Sequence, residues 1–226
     1  MTDTLTIVFA LYPDVTHLDF TGPHQVLCRL PGAVVHLASV DGGALTFDGI
    51  TFGGLERLAA IPACDVLCVP GGFGTIEAMG DAVFLGEIRR LAGRARYVTS
   101  VCTGSLILGA AGLLQGRRAA CHWAWRDQLA LFGAVPDGGR VVRDGNVFTG
   151  GGVTAGIDFA LTLAAEIAGD AFAQGLQLSL EYAPAPPFDA GRPETAPPEV
   201  LARVRAMLDA TGATRREAVE AAALAM

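Results

Sequence analysis

The stretch YVTSVCTGSLILGAAGLL, residues 97–114, changes from a strand pattern to a helix pattern around one cysteine. Its β-rich start predicts a buried strand at 97–101, and its Gly-rich apolar remainder predicts a helix at 103–114. Cys102 lies at the turn, as in a nucleophile elbow, where the side chain stands at the C-terminal edge of a parallel sheet. We therefore predict that Cys102 is the catalytic nucleophile and that the helix N-terminus lowers its pKa. The alternative for Cys102 is that it is a small buried residue without a catalytic role. We interpret the other four cysteines in that way.

On both sides of this stretch, short β-rich runs alternate with amphipathic helical runs, which is typical of an α/β sheet. Further strands are predicted at residues 4–11, 34–40, 65–69 and 119–121, with a small β excursion at 44–52 and a hairpin at 140–149. Further helices are predicted at residues 17–28, 76–92, 124–132 and 154–182, the last broken near Gly169.

The composition changes after Tyr182. Six prolines within residues 183–198 oppose regular structure and predict an extended arm. Residues 199–225 predict a closing helix or helix pair. We therefore expect an α/β domain over residues 1–182, with the arm and helix of residues 183–226 packed on the same domain.

Charge and hydropathy limit the classes of function. Hydrophobic residues make up 51% of the 226 residues, enough to offset the ordering entropy of a folded chain. The net charge of −7 disfavours binding to nucleic acid or to anionic membranes. The most apolar windows, 101–114 and 154–168, are too short or too charged for a membrane span.

The N-terminal sequence has no basic region or small-residue cleavage site, so we expect no signal peptide. Five cysteines without CxxC spacing indicate reduced thiols. We therefore expect a cytoplasmic protein.

Two further motifs follow predicted strands at the same sheet edge as Cys102. Asp19, in LDFTGP, is an acidic residue in apolar surroundings, where a raised pKa would let it donate a proton. A helix cap is the alternative. In PGGFG, the backbone N–H groups of Gly71 and Gly72 are candidates to bind substrate and stabilise developing charge, with an ordinary glycine turn as the alternative.

The remaining candidates for substrate binding are His122, Trp123 and Gly151. His122 and Trp123 follow a predicted short strand, and Gly151 lies in a Gly-rich turn before a helix. His122 is a weak candidate for a catalytic base, because a lone histidine is more often structural. No histidine has metal-ligand spacing with Cys or carboxylates, so we expect no metal.

Three motifs that each accompany a predicted strand resemble those of the ThiJ/PfpI superfamily. They are LDFTGP, PGGFG and VCTGSLILGAAGLLQGRRAACHW, and the resemblance covers about residues 4–182. The resemblance implies a flavodoxin-like, doubly wound sheet with a reactive cysteine at Cys102 and an acidic partner at Asp19. Many relatives carry Glu at the acidic position.

Several branches of the superfamily fit poorly. Protease-like members have His directly after the nucleophile, where this chain has Thr103, and glutamine amidotransferases need a His-x-Glu pair, whereas no His follows His122. Regulators of the AraC type add two helix-turn-helix units, for which the 28 residues after Pro198 are too few. The motifs LDFTGP, VCTGS, CHW and TGGGVTAGID are most similar to the isonitrile hydratase branch.

That branch implies attack of Cys102 on an isonitrile carbon, with Asp19 supplying the proton and then activating water, and Thr103 donating at the site. The product is an N-substituted formamide, and no redox cofactor or metal is required. A glyoxalase-like thiol enzyme and a non-enzymatic redox sensor remain alternatives. The apolar composition, the Pro-rich arm and the resemblance together predict a homodimer.

Overall fold

A seven-stranded sheet forms the centre of the computed structural model, which describes residues 4–209 and 212–226. The strands are β1 (Leu5–Ala10), β2 (Ala33–Ser39), β3 (Leu45–Phe47), β4 (Ile50–Phe52), β5 (Glu56–Arg57), β6 (Val66–Val69), β7 (Tyr97–Val101), β8 (Arg118–Ala119), β9 (Val135–Pro136), β10 (Val141–Asp144) and β11 (Val147–Gly150). The α-helices are α1 (His17–Leu27), α2 (Thr75–Gly80), α3 (Ala82–Ala92), α4 (Gly104–Ala110), α5 (Ala155–Ala168), α6 (Asp170–Ser179), α7 (Pro198–Asp209) and α8 (Gly212–Leu224). Short 3₁₀ helices span Leu58–Ala60 and Arg126–Phe132.

The central sheet has the strand order β10-β11-β7-β6-β1-β2-β5. Its neighbouring strands are parallel, except that β10 and β11 form an antiparallel hairpin at one edge. Strands β6 and β7 are buried along their whole length, as expected when helices cover both faces of a sheet. From β1 the chain goes to β2 on one side and later crosses to β6 on the other. Ligands of such doubly wound sheets bind where the strand order reverses, at the carboxyl ends of the strands.

The predicted α/β alternation is confirmed, with a few differences in the elements. The break predicted near Gly169 in the helical run 154–182 is confirmed, since the run forms α5 and α6 and Gly169 has a φ of +88°. The predicted helix over 76–92 is also two, because the Asp81 carboxylate caps α3 by accepting from the N–H groups of Val83 (2.8 Å) and Phe84 (3.0 Å). The strand predicted at 119–121 is the two-residue β8, and the helix predicted at 124–132 is a 3₁₀ helix.

No regular helix or strand occurs between α6 and α7, in agreement with the Pro-rich composition there. The predicted closing helix is the pair α7 and α8, and Ala210 and Thr211 between them lie outside the described residues. Helix α8 packs against α2, α4 and the 3₁₀ helix at Arg126–Phe132, with Val219 fully buried. Of the helices described, none is both long enough and apolar enough to cross a membrane.

Candidate active site

Cys102 joins β7 to α4 in a left-handed backbone conformation, with φ of +57°. Such a conformation strains any residue other than glycine and is typical of a nucleophile elbow. The Cys102 N–H donates to the Gly150 carbonyl of β11 (3.0 Å), which fixes the turn against the sheet. Gly104 lets α4 begin against the end of β6, where an added Cβ would lie 2.2 Å from the Val69 oxygen. The structure therefore contains the elbow that the sequence predicts.

The proton affinity of Cys102 differs from the prediction. The residue is only 6% exposed, and burial raises the pKa of its thiol well above the ordinary value. The Asp19 carboxylate and the Cys121 thiol raise that pKa further. A hydrogen bond from the Thr103 backbone N–H lowers it, as expected at a helix N-terminus, but burial outweighs this effect. The pKa of the Cys102 thiol is therefore raised, contrary to the predicted net lowering.

Asp19 lies in the first turn of α1 and is 1% exposed. Its Oδ2 accepts from the Gly71 N–H (2.9 Å), whereas Oδ1 has no conventional partner among the described residues. Burial raises the pKa of Asp19 from 3.8 to about 7, against the lowering effects of the Gly71 N–H and the Cys102 side chain. Because the carboxyl binds a loop rather than its own helix, the helix-cap alternative is wrong. Asp19 instead gives Cys102 a neighbour that exchanges a proton near neutral pH.

The PGGFG loop packs its backbone directly on these residues. The Gly71 N–H binds Asp19, and the Gly72 N–H donates to the Thr103 hydroxyl (3.0 Å). Both N–H groups thus already have protein acceptors, and their predicted role in stabilising charge on the substrate stays a prediction. An added Cβ at Gly71 would lie 2.5 Å from the Thr103 nitrogen and 3.0 Å from Asp19 Oδ2. Glycine is therefore needed here for close packing of the site.

A buried set of hydroxyl groups extends from Thr103. Its hydroxyl shares a hydrogen bond with that of Thr75 (2.8 Å), which also donates to the Gly72 carbonyl (2.8 Å). The Tyr12 hydroxyl lies 3.2 Å from that of Thr75 and donates to the Pro70 carbonyl (2.8 Å). Tyr12 and Thr75 were not among the residues predicted from the sequence. Tyr12 lies just after β1 and Thr75 just after the PGGFG loop, and these positions at the sheet edge could have indicated that both residues belong to the site.

A cavity of about 650 Å³ contains the other predicted binding residues, since His122, Trp123 and Gly151 all line it. Cys121 lines it as well and is close enough to Cys102 to raise the pKa of that thiol. The cavity wall therefore adjoins the surroundings of the nucleophile. Further lining residues come from the start of the 3₁₀ helix, the turn before β10 and the Pro-rich arm, among them Arg126, Gly138, Arg140, Pro186, Phe188 and Arg192.

His122 has the character of a neutral binding residue. Burial lowers its pKa, and its Nδ1 accepts from the Ala124 N–H (3.4 Å). Its ring lies 5.6 Å from that of Trp123, centre to centre. No hydrogen bond in the described part of the chain joins it to Cys102. Within residues 4–209 and 212–226, no group of three or more His, Cys, Asp or Glu side chains is arranged to hold a metal ion.

Arg215, which lies on α8 far from the motifs, is a further residue of the site that was not predicted from the sequence. It is buried and lies over the Trp125 ring. Its charge lowers the pKa of both Cys102 and Cys121. No local pattern in the sequence marks it, because only the packing of α8 brings it to the site.

The sequence is similar to those of known proteins. The model of the DJ-1/PfpI family matches residues 5–166. Over 220 residues the chain is 54% identical to an isonitrile hydratase from Pseudomonas putida, covering 97% of this chain and 96% of that protein.

Solved structures agree with the fold. A ThiJ/PfpI family protein from Pseudomonas syringae superimposes with a TM-score of 0.91 at 42% identity, covering 98% of this chain and 91% of that chain. DJ-1beta from Drosophila melanogaster superimposes with a TM-score of 0.71 at 26% identity, covering 80% of this chain and 100% of that chain.

Proposed function

The chain belongs to the DJ-1/PfpI family, and from that premise we propose that it is an isonitrile hydratase, which adds water to an isonitrile to give an N-substituted formamide. The identity of 54% to such an enzyme, over nearly the full length of both chains, carries this assignment. The buried pair of Cys102 and Asp19 supports it, because the reaction needs a soft nucleophile and a group that moves a proton.

In the first step, the Cys102 sulfur attacks the terminal carbon of the isonitrile. The thiol proton passes to the free Oδ1 of Asp19, and Asp19 delivers it to the same carbon. The product is a thioimidate, R–N=CH–S–Cys102, which has gained one C–S bond and one C–H bond. The pKa of about 7 suits Asp19 to both halves of this transfer, since it binds and releases a proton with little cost near neutral pH.

In the second step, the Asp19 carboxylate removes a proton from water as the water oxygen attacks the thioimidate carbon. That proton moves to the nitrogen, which leaves a tetrahedral intermediate with one hydroxyl group and one C–S bond. Collapse of the intermediate breaks the C–S bond and forms the formamide carbonyl. The hydroxyl proton returns to the pair of Asp19 and Cys102, so the cycle consumes one isonitrile and one water and involves no redox change.

Thr103 contributes through its backbone in this scheme. Its N–H hydrogen bonds to the Cys102 sulfur and lowers the thiol pKa, so it favours the thiolate that leaves in the last step. Its hydroxyl accepts from the Gly72 N–H and thereby holds the loop that carries the Gly71 contact to Asp19. The cavity lined by His122 and Trp123 is the site for the N-substituent.

The direct test is incubation of the purified protein with cyclohexyl isonitrile in H₂¹⁸O, followed by mass spectrometry. We expect N-cyclohexylformamide with one ¹⁸O atom, and none with Cys102→Ala. Methylglyoxal is tested in parallel. Consumption of methylglyoxal without formamide production would assign the site to a glyoxalase-like activity instead.

We also propose that the protein is a homodimer and that it is located in the cytoplasm. Large apolar side chains near the arm are open to water, with Phe188 78% exposed and Leu178 exposed as well. All five cysteines are free thiols, which suits a reducing compartment. Light scattering at micromolar concentration is expected to give twice the chain mass, and a monomer mass contradicts the assembly.

A further inference from the structure

Arg215 places a guanidinium group in the interior of the protein. The residue is 3% exposed, and its Cζ lies 4.6 Å from the centre of the Trp125 ring. Its Nε is buried without a hydrogen-bond partner in the described residues, and no described carboxylate forms an ion pair with it. Burial of an unpaired cation is costly, and the contact with one aromatic ring offsets only part of that cost. The position therefore needs an explanation other than packing.

The surroundings of Arg215 point to the elbow. Helix α8 packs against α4, the helix that begins beside Cys102, and against the 3₁₀ helix that follows Trp125. The backbone N–H of Trp125 donates to the carbonyl of His122 (2.9 Å), the residue after Cys121 in the chain. The charge of Arg215 lowers the pKa of four groups: Tyr12, Cys102, Cys121 and His122. Among the described carboxylates, the exposed Glu77 of α2 acts on Arg215 and raises its pKa.

We propose that Arg215 is a positioning residue whose buried guanidinium stabilises the thiolate of Cys102. While Cys102 holds its proton, the negative charge of the pair lies on the Asp19 carboxylate, and it moves to the Cys102 sulfur, on which Arg215 acts, when the proton passes to Asp19. The energy lost by burying the cation is then partly recovered at the step that needs the thiolate, and again when the thiolate leaves. The inference takes its substrate, an isonitrile, from the proposed function. Formation of the Cys102 thiolate can nevertheless be measured with no isonitrile present.

Several titratable or charged groups influence this step, so the test must isolate Arg215. Those that act on Cys102 or on Arg215 are Tyr12, Asp19, Glu77, Cys121 and His122. Arg215→Met removes the charge and keeps an unbranched apolar side chain. Arg216→Met is the matched control, because Arg216 is the next residue on α8, its side chain is 71% exposed, and it pairs with Glu220 at 3.1 Å.

The readout is the rate at which iodoacetamide alkylates Cys102, measured from pH 6 to pH 10 on the Cys102 peptide by mass spectrometry, with no isonitrile present. We expect the Arg215→Met profile to move to higher pH by about half to one unit, which slows alkylation about three- to tenfold below the thiol pKa. Arg216→Met should follow the wild type, and Arg215→Lys should lie closer to the wild type than Arg215→Met. With cyclohexyl isonitrile, Arg215→Met should lower kcat more than it changes KM.

Coincident profiles for Arg215→Met and the wild type overturn the inference, as does an equal displacement in Arg216→Met. If Arg215→Met does not fold, Arg215→Gln is compared with Arg215→Lys, and coincidence of those two profiles overturns it. A displaced alkylation profile in a protein that makes no formamide would reject the proposed function and leave the role of Arg215 standing.

Discussion

Asp19 and Cys102 change each other's proton affinity in opposite directions. The Asp19 carboxylate raises the pKa of the Cys102 thiol, whereas the Cys102 side chain lowers the pKa of Asp19. Because both groups are buried, the pair holds one shared proton more readily than it carries two negative charges. This is the proton that the proposed reaction transfers to the isonitrile carbon.

Replacing Asp19 by Asn tests that transfer. Asp19→Asn keeps the shape and burial of the side chain but removes its acid–base function, so we expect kcat to fall by about 10²–10⁴-fold. The double variant with Cys102→Ala should be no less active than Cys102→Ala alone, since the two residues act as a unit. Formamide production is measured for each variant. Near-wild-type turnover by Asp19→Asn would rule out the mechanism even if Cys102 proved essential.

The pH dependence of stability provides a separate test of the Asp19 environment. Its pKa is about 7 in the folded state, above the ordinary 3.8, so the folded state binds more protons between these values. The contribution of Asp19 to the free energy of unfolding is therefore largest at low pH and decreases as pH rises through 7. Urea unfolding from pH 5 to pH 7 should show wild type losing about 1 kcal/mol or less per pH unit relative to Asp19→Asn. A pH-independent difference would contradict the raised pKa.

Close packing at Gly71 makes it sensitive to a single methyl group. Gly71→Ala would place a Cβ 2.5 Å from the Thr103 nitrogen and 3.0 Å from Asp19 Oδ2, so the loop must move. We expect formamide production to fall below a tenth of the wild-type rate, which corresponds to an increase of roughly 1.4 kcal/mol in the activation free energy. Gly86→Ala, in α3, meets no atom within 4 Å and is the control. It should leave activity unchanged and raise stability by about 0.5–1 kcal/mol. Equal activity of the two variants would show that the loop contact is dispensable.

The hydroxyl of Thr75 connects the site to the interior. Thr75→Val keeps the shape but leaves the Thr103 and Tyr12 hydroxyls without this partner, at a cost of about 1–3 kcal/mol in unfolding free energy. We also expect kcat to fall about tenfold, because the Thr103 hydroxyl loses one hydrogen-bond partner and keeps only the Gly72 backbone. Thr46→Val, which breaks an exposed hydroxyl pair with Thr51, should change stability by less than about 0.5 kcal/mol. Thermal unfolding and formamide assays on both variants decide this.

The sequence predicts the features of this protein that depend on neighbouring residues. A strand, a cysteine and a Gly-rich helix in succession are enough for the elbow at Cys102. Parallel topology then brings Asp19 and Gly71 to the same sheet edge. The break at Asp81 was also local, but the apolar periodicity of residues 76–92 concealed it.

Features that depend on distant contacts could not be predicted from the sequence. The Gly71 N–H donates to an acceptor 52 residues away in the sequence, and the Gly72 N–H donates to one 31 residues away. That both N–H groups are already hydrogen-bonded is therefore visible only once the loop is packed. The pKa of Cys102 is governed by burial, which outweighs the helix N-terminus that the sequence reveals. Arg215 reaches the site only through the packing of α8.

The left-handed backbone at Cys102 has a consequence for how this protein evolves. A side chain in that conformation costs about 1–2 kcal/mol relative to glycine, so a lineage selected for folding alone would tend to accept glycine at this position. Each such replacement would yield a more stable protein without a nucleophile. If the proposed reaction is the function under selection, that chemistry keeps the cysteine against glycine, and the rest of the sequence must supply the stability that the strained turn costs.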